Sequence, residues 1–143
     1  MNSNDLRHGE DFVGIGCGAL IVNNKNEVLL LKRGNKSRNN AGFWSQPGGR
    51  VDYGETVIEA IKREVREEVG VEIILLKFLC YSNQILKRQR QHWVTINYLA
   101  KITKGRPKIM EPQKHDDLQW FDLKKVPKLE SITRETIRAY LAE

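Results

Sequence analysis

The stretch from Gly49 to Val71, GRVDYGETVIEAIKREVREEVGV, constrains the chain more than any other. It predicts a helix over 56–69 with both ends marked. Thr56 and Glu59 stand in the T-x-x-E spacing of a capping box. Gly70 sits where a left-handed C-terminal cap is wanted. At 100° per residue, Ile58, Ile61, Val65 and Val69 fall within about 80° of arc and form the expected buried face. Glu64, Glu67 and Glu68 fall in a second arc about 100° wide, with Lys62 and Arg66 on the opposite flank. Like charges one turn apart repel by a few tenths of a kcal/mol per pair. A helix built only for solubility would intermix its charges. Two readings follow: a solvated acidic face, or a cation site on which all three glutamates converge. Oxygen ligands at this density suit Mg²⁺ or Mn²⁺. The Gly48-Gly49 pair allows a tight turn before the helix that would bring a backbone carbonyl to such an ion.

Around this helix the pattern alternates strands and helices. Residues 12–23 are apolar and glycine-rich and predict a strand whose small residues let another backbone approach. Asn23 to Asn26 signal a turn, and Glu27 to Arg33 predict the returning strand of a hairpin. A polar loop at 34–42 and a short extended piece at 43–46 lead to Pro47-Gly48-Gly49. Strands are predicted at 71–83, 92–103 and 118–121, with polar loops at the KRQRQ run and at 104–117. A final amphipathic helix is predicted over 131–142, with Ser131 or Thr133 near its N-cap. The fold class is α/β (α+β), a mixed sheet packed between helices. Residues 1–11 are read as a loose tail and 12–143 as one domain.

Composition narrows the setting. With 40% hydrophobic and 29% charged residues in 143, the chain reads as an ordinary globular protein. There is no apolar run long enough to span a bilayer, so no membrane partner is expected. The N-terminus has no apolar h-region and is not expected to be a secretory signal. Cys17 and Cys80 lie in apolar strand-like runs and are read as buried, reduced thiols, which favours a cytoplasmic setting. The net charge of +6 steers anions toward the protein but does not separate a nucleotide from a nucleic acid.

The pattern G-x5-E-x7-R-E-U-x-E-E-x-G-U, with U a bulky aliphatic, is filled by Gly49, Glu55, Arg63, Glu64, Val65, Glu67, Glu68, Gly70 and Val71. The stretch thereby resembles the box of the Nudix hydrolase family. At average residue usage it would arise by chance less than about once in 10⁸ starting positions. The order of strands and helices is similar to the family's α/β/α sandwich, a mixed β-sheet between helices. The resemblance implies metal-assisted hydrolysis of a diphosphate bond in a nucleoside diphosphate derivative, with Mg²⁺ or Mn²⁺ as cofactor. It implies Glu64 and Glu68 as the main metal ligands, with Glu67 as a third ligand or water-bridged partner and the Gly49 carbonyl completing the shell. Arg63 would orient the glutamates, paired with Glu55 across the loop–helix junction, and Gly70 would close the helix. One of the crowded carboxylates would serve as base, Glu64 and Glu67 among the candidates.

Residues 111–121, EPQKHDDLQWF, resemble the family's loop before its last core strand, where an acid near a tryptophan meets substrate. Glu111, Asp116 and Asp117 are candidates for metal, base or nucleobase contact, with Asp116 preferred. The segments FWSQPGGRVDYGET, HWVTINYLAKI and EPQKHDDLQWFDL look like MutT-like nucleoside triphosphate pyrophosphatases, including those acting on oxidised guanine nucleotides. Arg33 is a candidate phosphate holder, and Phe43 and Trp44 are candidates to line a base pocket. His92, Trp93 and Trp120 are read as structural, and the basic run Lys87-Arg88-Gln89-Arg90 as a solvated hairpin tip. The expected partner is a nucleotide substrate, met by a monomer or homodimer; no nucleic-acid partner is expected.

Three functions fit this resemblance. The first is a pyrophosphohydrolase of nucleoside triphosphates. The second is a hydrolase of ADP-ribose, a dinucleoside polyphosphate or an mRNA cap. The ADP-ribose branch usually carries a proline at the sixteenth residue after the box's final glycine, where this chain has Leu86. The third is a silent nucleotide sensor, whose box is commonly eroded; here every acid is present.

Overall fold

The computed structural model describes residues 6–36 and 41–143. Residues 1–5 of the expected tail and 37–40 of the expected loop lie outside the described residues. Nine elements follow in order: β1 Gly14–Ile21, β2 Glu27–Arg33, β3 Trp44–Ser45, β4 Gly48–Arg50, α1 Val57–Val69, β5 Glu72–Leu86, β6 Gln91–Lys104, β7 His115–Asp122 and α2 Ser131–Leu141. They build two sheets. One is mixed, in the order β4-β1-β6-β5, with β1 parallel to β6 and antiparallel to β4. The other is antiparallel, in the order β3-β2-β7.

The expected hairpin of β1 with β2 is therefore corrected. The chain does turn at Asn23, whose Oδ1 accepts the backbone N–H of Lys25 and Glu27. Beyond a single bridge at Val22–Val28, however, β2 joins the second sheet. β6 pairs with β1 along its whole length and β4 takes the other edge at Gly16–Gly18, while β2 pairs with β3 and β7.

Side-chain alternation fills both faces of this layer. Cys17, Ala19 and Ile21 of β1, with Leu29 and Leu31 of β2, pack against Ile61, Val65 and Val69 of α1. Leu20, Val22, Val28, Leu30 and Leu99 pack with Ile137 of α2 on the other face. Burying each such aliphatic side chain contributes roughly 1.5–3 kcal/mol relative to exposure. The arrangement is a helix–sheet–helix sandwich.

Helix α1 is capped as its sequence predicts. Thr56 accepts from the Glu59 backbone N–H, Glu59 reaches back to the Thr56 N–H, and Gly70 turns left-handed at φ 71°. The buried face keeps Ile61, Val65 and Val69 but is rotated by roughly 50° about the helix axis. Ile58 is 45% exposed, whereas Ala60 is buried and Val57 packs against the core. The sheet does not reach under the outer side of the first turn.

Two further expectations are corrected. The N-cap of α2 is Glu130, not Ser131 or Thr133; its carboxylate accepts from the backbone N–H of Ile132 and Thr133 and from the Thr133 hydroxyl. A long side chain serves because burial holds it in place; Glu130 is 7% exposed. The described part of the expected tail, 6–11, is an ordered turn. The Asp11 N–H donates to the Arg7 carbonyl, and the His92 N–H donates to the Gly9 carbonyl. Trp93 lies so close over Gly9 and Gly14 that a Cβ at either would collide with its ring. Cys17 and Cys80 are free thiols, Cys17 buried and Cys80 partly so. Among the described residues, no helix is long and apolar enough to cross a membrane.

Removing the Glu130 cap should cost about 1–2 kcal/mol. Urea unfolding of Glu130→Ala is expected to show that loss, with Ser131→Ala within about 0.5 kcal/mol of the parent. The reverse order would place the cap where the sequence alone suggests it.

Candidate active site

The loop between β4 and α1 is organised by one guanidinium. Arg63 Nε donates to Glu55 Oε2 at 2.7 Å and Nη2 to Glu55 Oε1 at 2.9 Å, a two-pronged pair. Nη2 also reaches the Arg50 carbonyl at 2.9 Å, and Nη1 reaches Glu64 Oε1 at 2.8 Å. Glu67 and Asp52 each approach the same group at 3.4 Å. Arg63 thus offsets the repulsion among the acids of α1 and ties the helix to the loop. The Arg63 bond, and next the Asp52 N–H, hold the Glu55 carboxyl down at about 2. Glu55 strengthens the protonated form of Arg63 in return.

Glu68 has a different environment. It is 8% exposed and accepts the Gly48 N–H at 2.9 Å. Its position on the helix explains the burial: it falls about 20° from Ile61 around the axis, at the margin of the apolar face. Desolvation pushes its carboxyl up to about 8, against the pull of the Gly48 bond. Burial also raises Glu64, with Arg63 opposing. A Cβ at Gly49 would strike the Glu64 carboxylate, so any other residue there would push that carboxylate from its place beside Arg63.

A strap from the following loop completes the cluster. The Lys108 N–H donates to the Val69 carbonyl at 3.0 Å and the Met110 N–H to the Glu68 carbonyl at 3.1 Å. These bonds cap the end of α1 and carry Glu111 alongside. One ligand atom each from Glu68, Glu111 and His115 lies within 4.8 Å of the others. His115 Nε2 stands 3.3 Å from Glu68 Oε2. That is an ion-pair distance, yet both partners are driven toward neutrality. Burial raises Glu68, while burial and then Arg33 lower His115. A neutral hydrogen bond is the state these surroundings favour. His115 Nδ1 is buried without a hydrogen-bond partner among the described residues.

Beside the cluster opens a cavity of about 320 Å³. Its floor is the sheet where β1 carries only Gly16 and Gly18, flanked by Trp93 and Thr95 of β6 and Gln84 of β5. Arg33, Ser45, Gln46 and Ile132 line it, and Gly48, Gly49 and Arg50 join it to the acidic cluster.

The structure brings together Gly49, Glu55, Arg63, Glu64, Glu67 and Glu68 at the loop–helix junction, with Glu67 the most exposed of the last three. It sets Glu111, rather than Asp116, beside Glu68. In β7 the side chains alternate, so His115 turns inward and Asp116 outward. Asp116 is exposed near Gly34, and Asp117 accepts from Leu118 and Gln119. Arg33 lines the cavity and lies opposite His115 in the β2–β7 ladder. Trp44 does not line it. Its ring packs edge-on against Phe121, 4.8 Å between centroids, in the core under α2. His115 and Gln46 were not among the residues singled out from sequence. The strand period starting at His115 is the signal that finds the first; nothing local marks the second.

Glu68 makes the metal-free protein sensitive to pH. Its folded pKa lies above the ordinary carboxylate value of 4.5, so the native state holds a proton that the unfolded chain releases. The stability this gives is full below about 4.5 and is lost as pH rises through about 8. The lowered His115 acts in the opposite sense, gaining stability as pH rises to its ordinary value of 6.5. Comparison with Glu68→Gln removes that background. Across pH 5–9, the stability of the parent relative to Glu68→Gln is expected to fall in metal-free buffer; a constant difference would mean Glu68 titrates normally.

Comparison with known proteins meets this geometry. The profile of the NUDIX domain family matches residues 14–140. The 8-oxo-dGDP phosphatase of Danio rerio is 35% identical over 109 residues, 75% of this chain, which spans about a third (31%) of that protein's length. The ADP-ribose pyrophosphatase of Methanocaldococcus jannaschii is 31% identical over 121 residues, 85% of this chain and 69% of that protein. The crystal structure of the MutT NUDIX hydrolase from Burkholderia pseudomallei superposes with a TM-score of 0.81 at 39% identity, over 90% of this chain and 98% of that one. The chain therefore belongs to the NUDIX family.

Proposed function

We propose that this chain is a metal-dependent pyrophosphohydrolase of nucleoside triphosphates, ribo or deoxy, oxidised guanine nucleotides such as 8-oxo-dGTP included. Water adds across the α–β anhydride, and a nucleoside monophosphate and pyrophosphate leave. The observation that carries this reading is the shared turn at Gly48-Gly49. One side of it contacts Glu68 and Glu64, and the other lines a cavity of about 320 Å³. That is within the usual range for a small-molecule site. A base and its phosphates are then held by adjoining parts of one loop.

The donor set fits a divalent cation. Glu68, Glu111 and His115 converge, burial outweighs the pull of the Gly48 N–H and of Lys114 on the Glu68 carboxyl, and His115 Nδ1 has no hydrogen-bond partner among the described residues. Glu64 and Glu68 would be the principal ligands, with Glu67, the Gly49 carbonyl, Glu111 and His115 completing or supporting the set. Such an ion, when bound, neutralises diphosphate charge and makes water more acidic. Arg63 keeps Glu64 and Glu67 from turning away. Arg33 binds phosphate oxygens at the cavity wall. Glu111 is the better candidate than Asp116 to take the proton from the attacking water, since it lies beside Glu68. The name of the Methanocaldococcus jannaschii relative favours a second reading, hydrolysis of ADP-ribose. Leu86 in place of that branch's proline weighs against it.

Mg²⁺-dependent turnover on nucleoside triphosphates, 8-oxo-dGTP and ADP-ribose, with products separated, decides among these. Monophosphate plus pyrophosphate from a triphosphate is expected. Glu68→Gln and Glu111→Gln should each lower kcat by about 10²-fold or more, and Asp116→Asn by less than about threefold. The opposite ranking of Glu111 and Asp116 would restore the acid preferred from sequence. Tight nucleotide binding with no turnover would replace hydrolysis by sensing.

A further inference from the structure

Gln46 lines the cavity and is 8% exposed. Its backbone N–H donates to the Thr133 hydroxyl at 2.9 Å. Its side-chain Nε2 donates to Asn97 Oδ1 at 2.8 Å. Its Oε1 is buried and has no hydrogen-bond partner among the described residues. A buried acceptor left alone destabilises a fold, and one that persists calls for a reason.

The direction of this amide pair is set by the main chain. Asn97 is fully buried, and its Nδ2 faces the Thr95 carbonyl and the Ser82 hydroxyl, each at 3.4 Å. A carbonyl only accepts, so it must meet the amino side of Asn97. Oδ1 is then left for Gln46, which must answer with its own amino group. Turning the Gln46 carboxamide over would bring two oxygens to 2.8 Å. The uncommitted atom of Gln46 is therefore an acceptor. The pair also needs the bare backbone of Gly18, where a Cβ would collide with Gln46 Nε2.

We infer that Gln46 reads the nucleobase: its Oε1, closed to water in the free protein, is uncovered as a base settles against Gln46 and accepts an N–H from a base edge that carries a donor. Asn97 is a positioning residue that prevents the carboxamide from turning. The inference rests on the proposed function only in taking a nucleotide as the ligand of this cavity. An edge with acceptors alone, such as the N7/O6 edge of unmodified guanine, meets Gln46 oxygen to lone pair and is refused. The N1–H and amino edge of guanine, the amino group of adenine, or the N7–H that oxidation creates in 8-oxoguanine, satisfies it.

The test is binding, which does not depend on hydrolysis. Titration calorimetry with Mg²⁺ would use α,β-methylene triphosphates of adenine, guanine and 8-oxoguanine. Each is compared with counterparts in which one donor edge is fully methylated: N6,N6-dimethyladenine, N1,N2,N2-trimethylguanine, and both 7-methyl- and N1,N2,N2-trimethyl-8-oxoguanine. For the best-bound base, one methylation is expected to weaken binding to the parent protein by at least about tenfold. In Gln46→Leu the parent and methylated analogues should bind within about twofold of each other. In Asn97→Ala, where the amide can turn, the same discrimination should shrink while Gln46 remains. A purely structural Gln46 would lower Tm and weaken all analogues equally. Equal binding of every analogue by the parent protein, or the same methylation effect in Gln46→Leu, overturns the inference. Base discrimination without turnover of the natural triphosphates would instead overturn the proposed reaction and leave Gln46 in its role.

Discussion

The guanidinium of Arg63 stands among four carboxylates, those of Asp52, Glu55, Glu64 and Glu67. Without it, the acids of α1 would repel one another and the loop before the helix would lose its anchor. Its paired bonds to Glu55 set the orientation of the fork, and the remaining donor is then aimed at Glu64. Charge alone would not do this; a lysine is a point charge with no fork to orient. The glutamates can therefore stay gathered in the protein without a cation.

Glu68 takes no part in that compensation. It is neutralised by burial rather than by a partner, and the strap at 108–111 closes over it. Two physical devices thus serve neighbouring acids on one helix. One holds carboxylates together through an arginine, and the other raises a carboxyl through desolvation. The difference traces to geometry: Glu68 lies at the edge of the apolar arc, and Glu67 lies well outside it.

What was legible in the sequence was mostly local. The capping box at Thr56 and Glu59 and the turn at Gly70 depend on a few adjacent residues, and both form. The sandwich followed from the alternation of strands and helices. What failed was non-local. The pairing of β1 with β2 reads as a hairpin until β4 and β6 claim both edges of β1. Glu130 caps α2 because burial fixes its side chain, which no propensity reports. Trp44 and Phe121 meet only in the folded core, so an aromatic near the glycine pair looked like a pocket wall. Asp116 and Glu111 are equally acidic on paper; the strap and the inward turn of His115 separate them. Gln46 gains its meaning from Asn97, 51 positions away.

The measurement that bears most directly on the site is proton release on cation binding. Titration calorimetry of the protein with Mn²⁺, repeated in buffers of different ionisation enthalpy, counts protons displaced. If Glu68 is held protonated by burial and becomes a ligand, about one proton should leave per bound ion near pH 7. The release should fade above pH 9 and vanish in Glu68→Gln. Binding with no proton displaced at pH 7, or displacement unchanged in Glu68→Gln, would show that Glu68 is not the buried ligand of this site.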